Sequence, residues 1–255
     1  MAFSFALYPH GMNENTNLTG HRVTRAGSLA KLGGVVVTAL AAAGVKAASS
    51  EGAAGAATSS GGLAGVASGA VSCVLAPEQT EGPYYLEGDK VRRNITEGKP
   101  GVSLALRLTV VDVSTCRPIR GAAVDIWHCD AGGVYSGTSV QDTEDLTFLR
   151  GIQKTDAKGV ATFRTIYPGW YPGRTVHIHV RVSLGGNIVH TGQLYFPETL
   201  TDRVYKRSPY NRRPDRETRN RVDGVFRNGG SRSLLKLTKA GAGYAGTITM
   251  GVQRS

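Results

Sequence analysis

From Ser103 onward the apolar positions recur with a period of two. Leu104, Leu106, Leu108 and Val110 alternate with Ala105, Arg107, Thr109 and Val111, the pattern of a strand with one buried face. A stretch of turn formers, Ser114 to Arg120 with Pro118, leads to a second strand over Ala122 to Cys129. There Val124, Ile126 and His128 share one face and Asp125, Trp127 and Cys129 the other, because successive strand side chains point to opposite sides. Lys154 to Gly159 reads as a turn into a third strand, Val160 to Ile166, and the segments 176–184, 188–196 and 244–252 supply others. The pattern contains no long amphipathic helix and no internal repeat. Only Ser231 to Lys239 suggests one more short segment, of undefined type. Many short strands between Gly/Pro turns predict a mainly β chain, a β-sandwich core with long functional loops.

The N-terminal part departs from this pattern. Arg22, Arg25 and Lys31 precede an uncharged run from Leu32 to Val45, and small residues follow at Ala47 and Ala48. That is the layout of an export signal over 1–47. The run is about 14 residues, short of the ~20 a membrane-spanning helix requires, so no stable span is expected. Residues 48–70 are nearly all Ala, Gly and Ser, a composition with little apolar area to offset ordering entropy, which predicts a flexible linker. The folded domain would then occupy 71–255, and the protein would be secreted. An oxidising compartment admits one disulfide among Cys73, Cys116 and Cys129, with one thiol left over. Their spacing fixes no pairing and fits no zinc pattern.

Charge matters once it is located. The chain is formally +11, but residues 48–202 carry 13 Lys and Arg against 15 Asp and Glu, whereas residues 203–255 carry 13 against 3. No stacking aromatics alternate with those arginines, so no nucleic-acid partner is expected. The basic C-terminal region reads as a solvated face, compatible with contact to an anionic matrix.

The sharpest chemical feature is His177-Ile178-His179. Residues two apart on a strand project from one face, so both imidazoles are presented side by side, ready to share a metal ion. Alone the spacing is weak, since zinc hydrolases use it too. Upstream, the turn-rich loop 168–173 displays Tyr171, and a Gly-containing loop after Trp127 displays Tyr135. Two phenolates and two imidazoles form a hard, anionic set that favours iron(III) over zinc or copper(I). His128 and His190 read as packing or surface residues, Trp127 as core, and Cys129 as a structural thiol or half of a disulfide.

Four segments in order, Val124–Tyr135, Phe148–Gly151, Phe163–Tyr171 and His177–His179, together with Thr80–Tyr85 and Gln193–Phe196, closely resemble the intradiol ring-cleavage dioxygenases, the catechol 1,2- and protocatechuate 3,4-dioxygenases. The resemblance covers residues 73–196 and, more loosely, the C-terminal tail. It implies Fe(III) as cofactor, with Tyr135, Tyr171, His177 and His179 as its ligands and Tyr171 as the tyrosinate that gives way to substrate. It also implies Arg174 and Gln193 beside the substrate ring, and Gly82, Pro83 and Tyr84 lining the opening. The substrates implied are a small aromatic diol and dioxygen, the products cis,cis-muconate-type diacids. Gly173 stands where protocatechuate-cleaving members often carry tryptophan, which suggests a more open pocket. The stretch before Thr80 is too short for the helical dimer-forming domain of the cytosolic enzymes. The chain thus looks like the stand-alone, exported members, and a homodimer stays open.

Overall fold

A computed structural model describes residues 73–88 and 90–254. The export signal and linker expected over 1–47 and 48–70 lie outside the described residues. Among the described residues, eight strands form two four-stranded sheets. The first holds β4 (Val160–Ile166), β1 (Ser103–Asp112), β8 (Gly243–Val252) and β7 (Lys236–Ala240), in that order. The second holds β3 (Arg150–Lys154), β2 (Ala123–Trp127), β5 (His177–Leu184) and β6 (Asn187–Tyr195). All neighbouring strands are antiparallel except β1 and β8, which run parallel.

The period-two pattern explains the core. Leu104, Leu106, Leu108 and Val110 of β1 are buried, as are Val124 and Ile126 of β2 and Ile178, Val180 and Val182 of β5, and all of them join a single buried cluster with Phe163 and Leu194. Each buried aliphatic side chain of this size contributes about 1.5–3 kcal/mol. His128, on the same side as Val124 and Ile126, is also fully buried. Its Nδ1 lies 2.8 Å from the Cys129 carbonyl and its Nε2 2.7 Å from Thr165 Oγ1, a packing role as expected.

The outer face of the second sheet is different. The register sets Arg150, Trp127, His179 and Gln193 opposite one another across β3, β2, β5 and β6. This polar row is roofed by the segment that precedes β1. Leu75 bridges to Gly251 of β8, the Gln79 amide donates to the Thr191 carbonyl on β6, Val91 bridges to Ile152 of β3, and Asn94 bridges to Arg164 of β4. The segment is therefore a strap crossing from one sheet to the other. Two polar contacts pin it: His190 Nδ1 lies 2.7 Å from Glu78 Oε1, and Glu81 pairs with Arg181 at 3.1 Å, with the Arg181 guanidinium over the Tyr85 ring. A Cys73–Cys116 disulfide ties its start to the loop after β1, and Cys129 remains a buried free thiol.

Two elements were not anticipated. β3 carries Gly151 and Gln153 and shows little alternation, and the helix α1 (Glu198–Tyr205) is only two turns long. The segment of undefined type resolves into a 3-10 turn, Gly230–Ser233, followed by β7. β2 ends at Trp127, two residues before its expected end. Part of the basic C-terminal charge is used internally, where Arg216 and Arg219 pair with Glu198 and Asp202. Among the described residues no helix is long and apolar enough to cross a membrane.

Candidate metal centre

Strand β5 places both imidazoles. His177 and His179 alternate with the core residues Ile178 and Val180, so they emerge together on the outer face, each buried beneath the strap. His177 Nδ1 lies 2.6 Å from the Thr175 carbonyl oxygen. A carbonyl can only accept, so Nδ1 carries the proton and Nε2 offers its lone pair outward. That Nε2 sits 3.1 Å from His179 Nε2 and 3.1 Å from Tyr171 Oη.

The two tyrosines come from loops that brace each other. After β2, Asp130 Oδ1 accepts from the amides of Gly132 and Val134, bending the chain back so that Tyr135 points under the strap. Gln141 Oε1 accepts from the Tyr135 amide and Thr143 Oγ1 donates to its carbonyl. The Gly169 amide, in the Tyr171 loop, donates to the Asp130 carbonyl at 3.0 Å. Gly133 has φ +84°, and a Cβ there would run into the Trp170 carbonyl, so the close approach of the loops needs glycine.

Four rings thus close a circuit. Centroid separations are 4.7 Å for His177 to His179, 5.6 Å for His177 to Tyr171, 5.7 Å for Tyr171 to Tyr135 and 6.2 Å for Tyr135 to His179. Burial, reinforced by the Arg174 charge, pushes the His177 imidazole down to about 3, and burial with the His177 charge pushes His179 well down too. Burial pushes both phenols up. The resting donors are therefore neutral, and the phenols ionise only beside a strong positive charge. Tyr135 Oη is buried with no hydrogen-bond partner among the described residues, an arrangement costing roughly 1–3 kcal/mol if nothing else engages it. Two nitrogen and two phenol oxygen donors, one of them otherwise orphaned, fit a hard trivalent cation such as iron(III). Among the described residues no group of three or more His, Cys, Asp or Glu side chains offers a competing metal site.

The remaining expected residues gather around this circuit. Arg174 Nη2 donates to Gln193 Oε1 at 2.5 Å, and Gln193 Nε2 donates to the Thr80 carbonyl on the strap at 3.0 Å. Gly82 (φ +75°) lies so close that a Cβ would stand 3.1 Å from His179 Cε1. Tyr84 stacks on Tyr135 with centroids 4.2 Å apart, and Pro83 is exposed in the turn between them. Gly173 is exposed, and a Cβ there would meet nothing within 4 Å.

Trp127 is core, as expected: it is fully buried, in a second hydrophobic cluster with Cys129 and Tyr135 on the outer face, where its indole lies against His179. Sequence reasoning missed Asp223, whose carboxylate meets Arg174 Nε at 3.0 Å. Its only signal was an Asp preceding a short helical run. Tyr195, whose hydroxyl donates within the Gln79–Gln193 pair, was legible only as part of a motif.

The chain is similar to known dioxygenases. Residues 80–206 match the family model Dioxygenase_C, described as dioxygenase. An intradiol ring-cleavage dioxygenase from Tetranychus urticae is 39% identical and superposes with a TM-score of 0.68, covering 71% of this chain and 95% of that one. The dioxygenase domain of a dioxygenase–carbohydrate-binding fusion from Streptomyces sp. SirexAA-E is 34% identical, with a TM-score of 0.56 over 71% of this chain and all of that domain. Chlorocatechol 1,2-dioxygenase of Pseudomonas putida is 30% identical over 140 residues, 46% of this chain and 52% of that protein. The chain spans about half the length of the curated relatives it matches. With its two histidines, two tyrosines and β-sandwich scaffold, the chain belongs to the intradiol ring-cleavage dioxygenase family.

Proposed function

We propose that this protein opens catechol-type aromatic diols between their two hydroxyl-bearing carbons with dioxygen, yielding cis,cis-muconate-type diacids, in the breakdown of aromatic compounds. The observation that carries the reading is the convergence of Tyr135, Tyr171, His177 and His179. Relatives of this chain bear the names catechol and chlorocatechol 1,2-dioxygenase.

Bound by those four side chains, iron(III) would supply the Lewis-acid charge that keeps the phenols ionised and readies the diol for dioxygen. The chain's own residues do the rest. Tyr171 is the more exposed of the two phenols, so its Oη is the base that accepts a proton from an incoming diol. Arg174, partly buried and held by Asp223 and Gln193, sets a fixed positive charge where the ring gains electron density. The strap, through Gly82 and Tyr84, keeps bulk water from the ligand face. The open position at Gly173 supports a mouth that admits ring substituents. Export is part of the proposal, supported by the leader pattern and by the Cys73–Cys116 disulfide, which suits an oxidising compartment.

Aerobic incubation with a panel of catechols, following muconate absorbance and oxygen uptake alongside metal analysis, tests the reading. The expected result is a reddish, iron-containing protein that consumes oxygen and forms muconates. A colourless, zinc-loaded and active preparation, or products cleaved outside the diol, overturns it.

A further inference from the structure

The carboxylate of Asp223 is fully buried at the side chain and carries four hydrogen bonds. Oδ2 accepts from Arg174 Nε at 3.0 Å and from the Thr175 amide at 2.7 Å. Oδ1 accepts from the amides of Val225 and Phe226 at 2.8 and 2.9 Å, capping the single-turn helix α2 (Gly224–Arg227). Burial alone would raise this carboxyl's pKa, but the Thr175 and Phe226 amides and the Arg174 guanidinium outweigh it, and the group stays below its usual range.

The segment that carries Asp223 is itself clamped from both sides. Thr175 Oγ1 donates to Asn220 Oδ1 at 2.6 Å, and Asn220 Nδ2 donates to the Phe196 carbonyl at 3.1 Å. Gln79 of the strap donates to the carbonyls of Val225 and Asn228 at 2.8 and 3.0 Å, and Tyr195 Oη donates back to Gln79 Oε1. Arg174 is thereby gripped at two nitrogens, Nε by Asp223 and Nη2 by Gln193. Among the described residues Nη1 makes no hydrogen bond, so one edge of the guanidinium is left for a ligand.

We infer that Asp223, which lies beyond the family-matched residues 80–206, is a positioning residue that fixes the guanidinium plane of Arg174 toward the substrate ring. The inference rests on the proposed activity only for what Arg174 then does. A buried carboxylate that grips Nε at fixed geometry removes the rotamer freedom a long arginine side chain otherwise keeps. The C-terminal region is in this way part of the site, and the strap shares in it through Gln79.

Two measurements on the full chain with its metal test this. In the first, phenylglyoxal labelling of Arg174 is followed by peptide mass spectrometry, with exposed Arg212 as internal reference. Asp223→Asn should label Arg174 several-fold faster than the wild type at an unchanged Arg212 rate, and Asp223→Glu should return the rate toward wild type. An unchanged Arg174 rate overturns the inference whatever the substrate proves to be. In the second, kcat and KM for a cleaved catechol are measured in a double-mutant cycle with Arg174→Ala. Asp223→Asn should lower kcat by up to about a hundredfold in the wild-type background, with little change in KM, and add nothing once Arg174 is gone. Equal losses in both backgrounds would assign Asp223 a structural role and sink the inference. A wild type that cleaves no catechol would sink the proposed activity instead, while the labelling result still decides the place of Asp223.

Discussion

The indole of Trp127 and the imidazole of His179 lie parallel, 4.9 Å between centroids and 5° between planes. They are register partners on β2 and β5, so backbone hydrogen bonding sets the stacking distance. Trp127→Ala should destabilise the fold by about 3–5 kcal/mol and lower metal occupancy, because His179 loses the surface that holds its ring. Trp127→Phe should cost less, since it keeps a stacking ring and removes an indole N–H that is buried without a partner among the described residues. Urea unfolding and bound-metal content of the two variants check the ranking.

Gly82→Ala should weaken metal binding while leaving the sandwich folded. The residue sits at φ +75°, strained for any side chain, and a Cβ would stand 3.1 Å from His179 Cε1. The backbone cost is about 1 kcal/mol, and the crowding falls on a ligand. Metal titration should show weaker affinity with a near-native melting temperature; unchanged affinity would show that the strap does not press on the ligand face.

His128 predicts a pH dependence of stability. Burial, only partly opposed by the Cys129 carbonyl, lowers its pKa to about 4 from an ordinary 6.5. Between those values the unfolded chain binds a proton that the folded chain refuses, so stability is full above pH 6.5 and falls as pH drops to about 4. The loss is on the order of 3 kcal/mol. Urea midpoints from pH 7 to 4.5 should fall more steeply in the wild type than in His128→Asn, whose equal slope would refute the assignment.

The Cys73–Cys116 bridge closes a loop of 43 residues. Constraining the unfolded chain over that length contributes about 4 kcal/mol. Cys73→Ser should lower the thermal midpoint and speed proteolysis of the strap before the core. Cleavage beginning elsewhere would separate the bridge from strap anchoring.

Much of this was legible from residue order. The alternation at Leu104–Val110 and the segment 160–166 became β1 and β4 because half-buried strands enforce a period of two. The pair His177 and His179 was legible for the same reason. Trp127 was legible as core, but the cluster it joins was not, because alternation does not say that a strap covers the outer sheet face. Asp223 was unreadable because its partner Arg174 is 49 residues away. Nothing local marks a carboxylate that reaches across the fold. The disulfide pairing was equally closed to local reading, since it depends on where the strap begins.

The proposed ligand set draws its nitrogen and its oxygen from mechanically unlike sources. Both imidazoles ride on a strand hydrogen-bonded along both edges, whereas both phenols hang from connections whose length and composition can drift. Altered loops would shift the oxygens against a stationary nitrogen pair. On the proposed function, descendants of this scaffold can therefore retune which aromatic ring they accept while the nitrogen pair keeps its place.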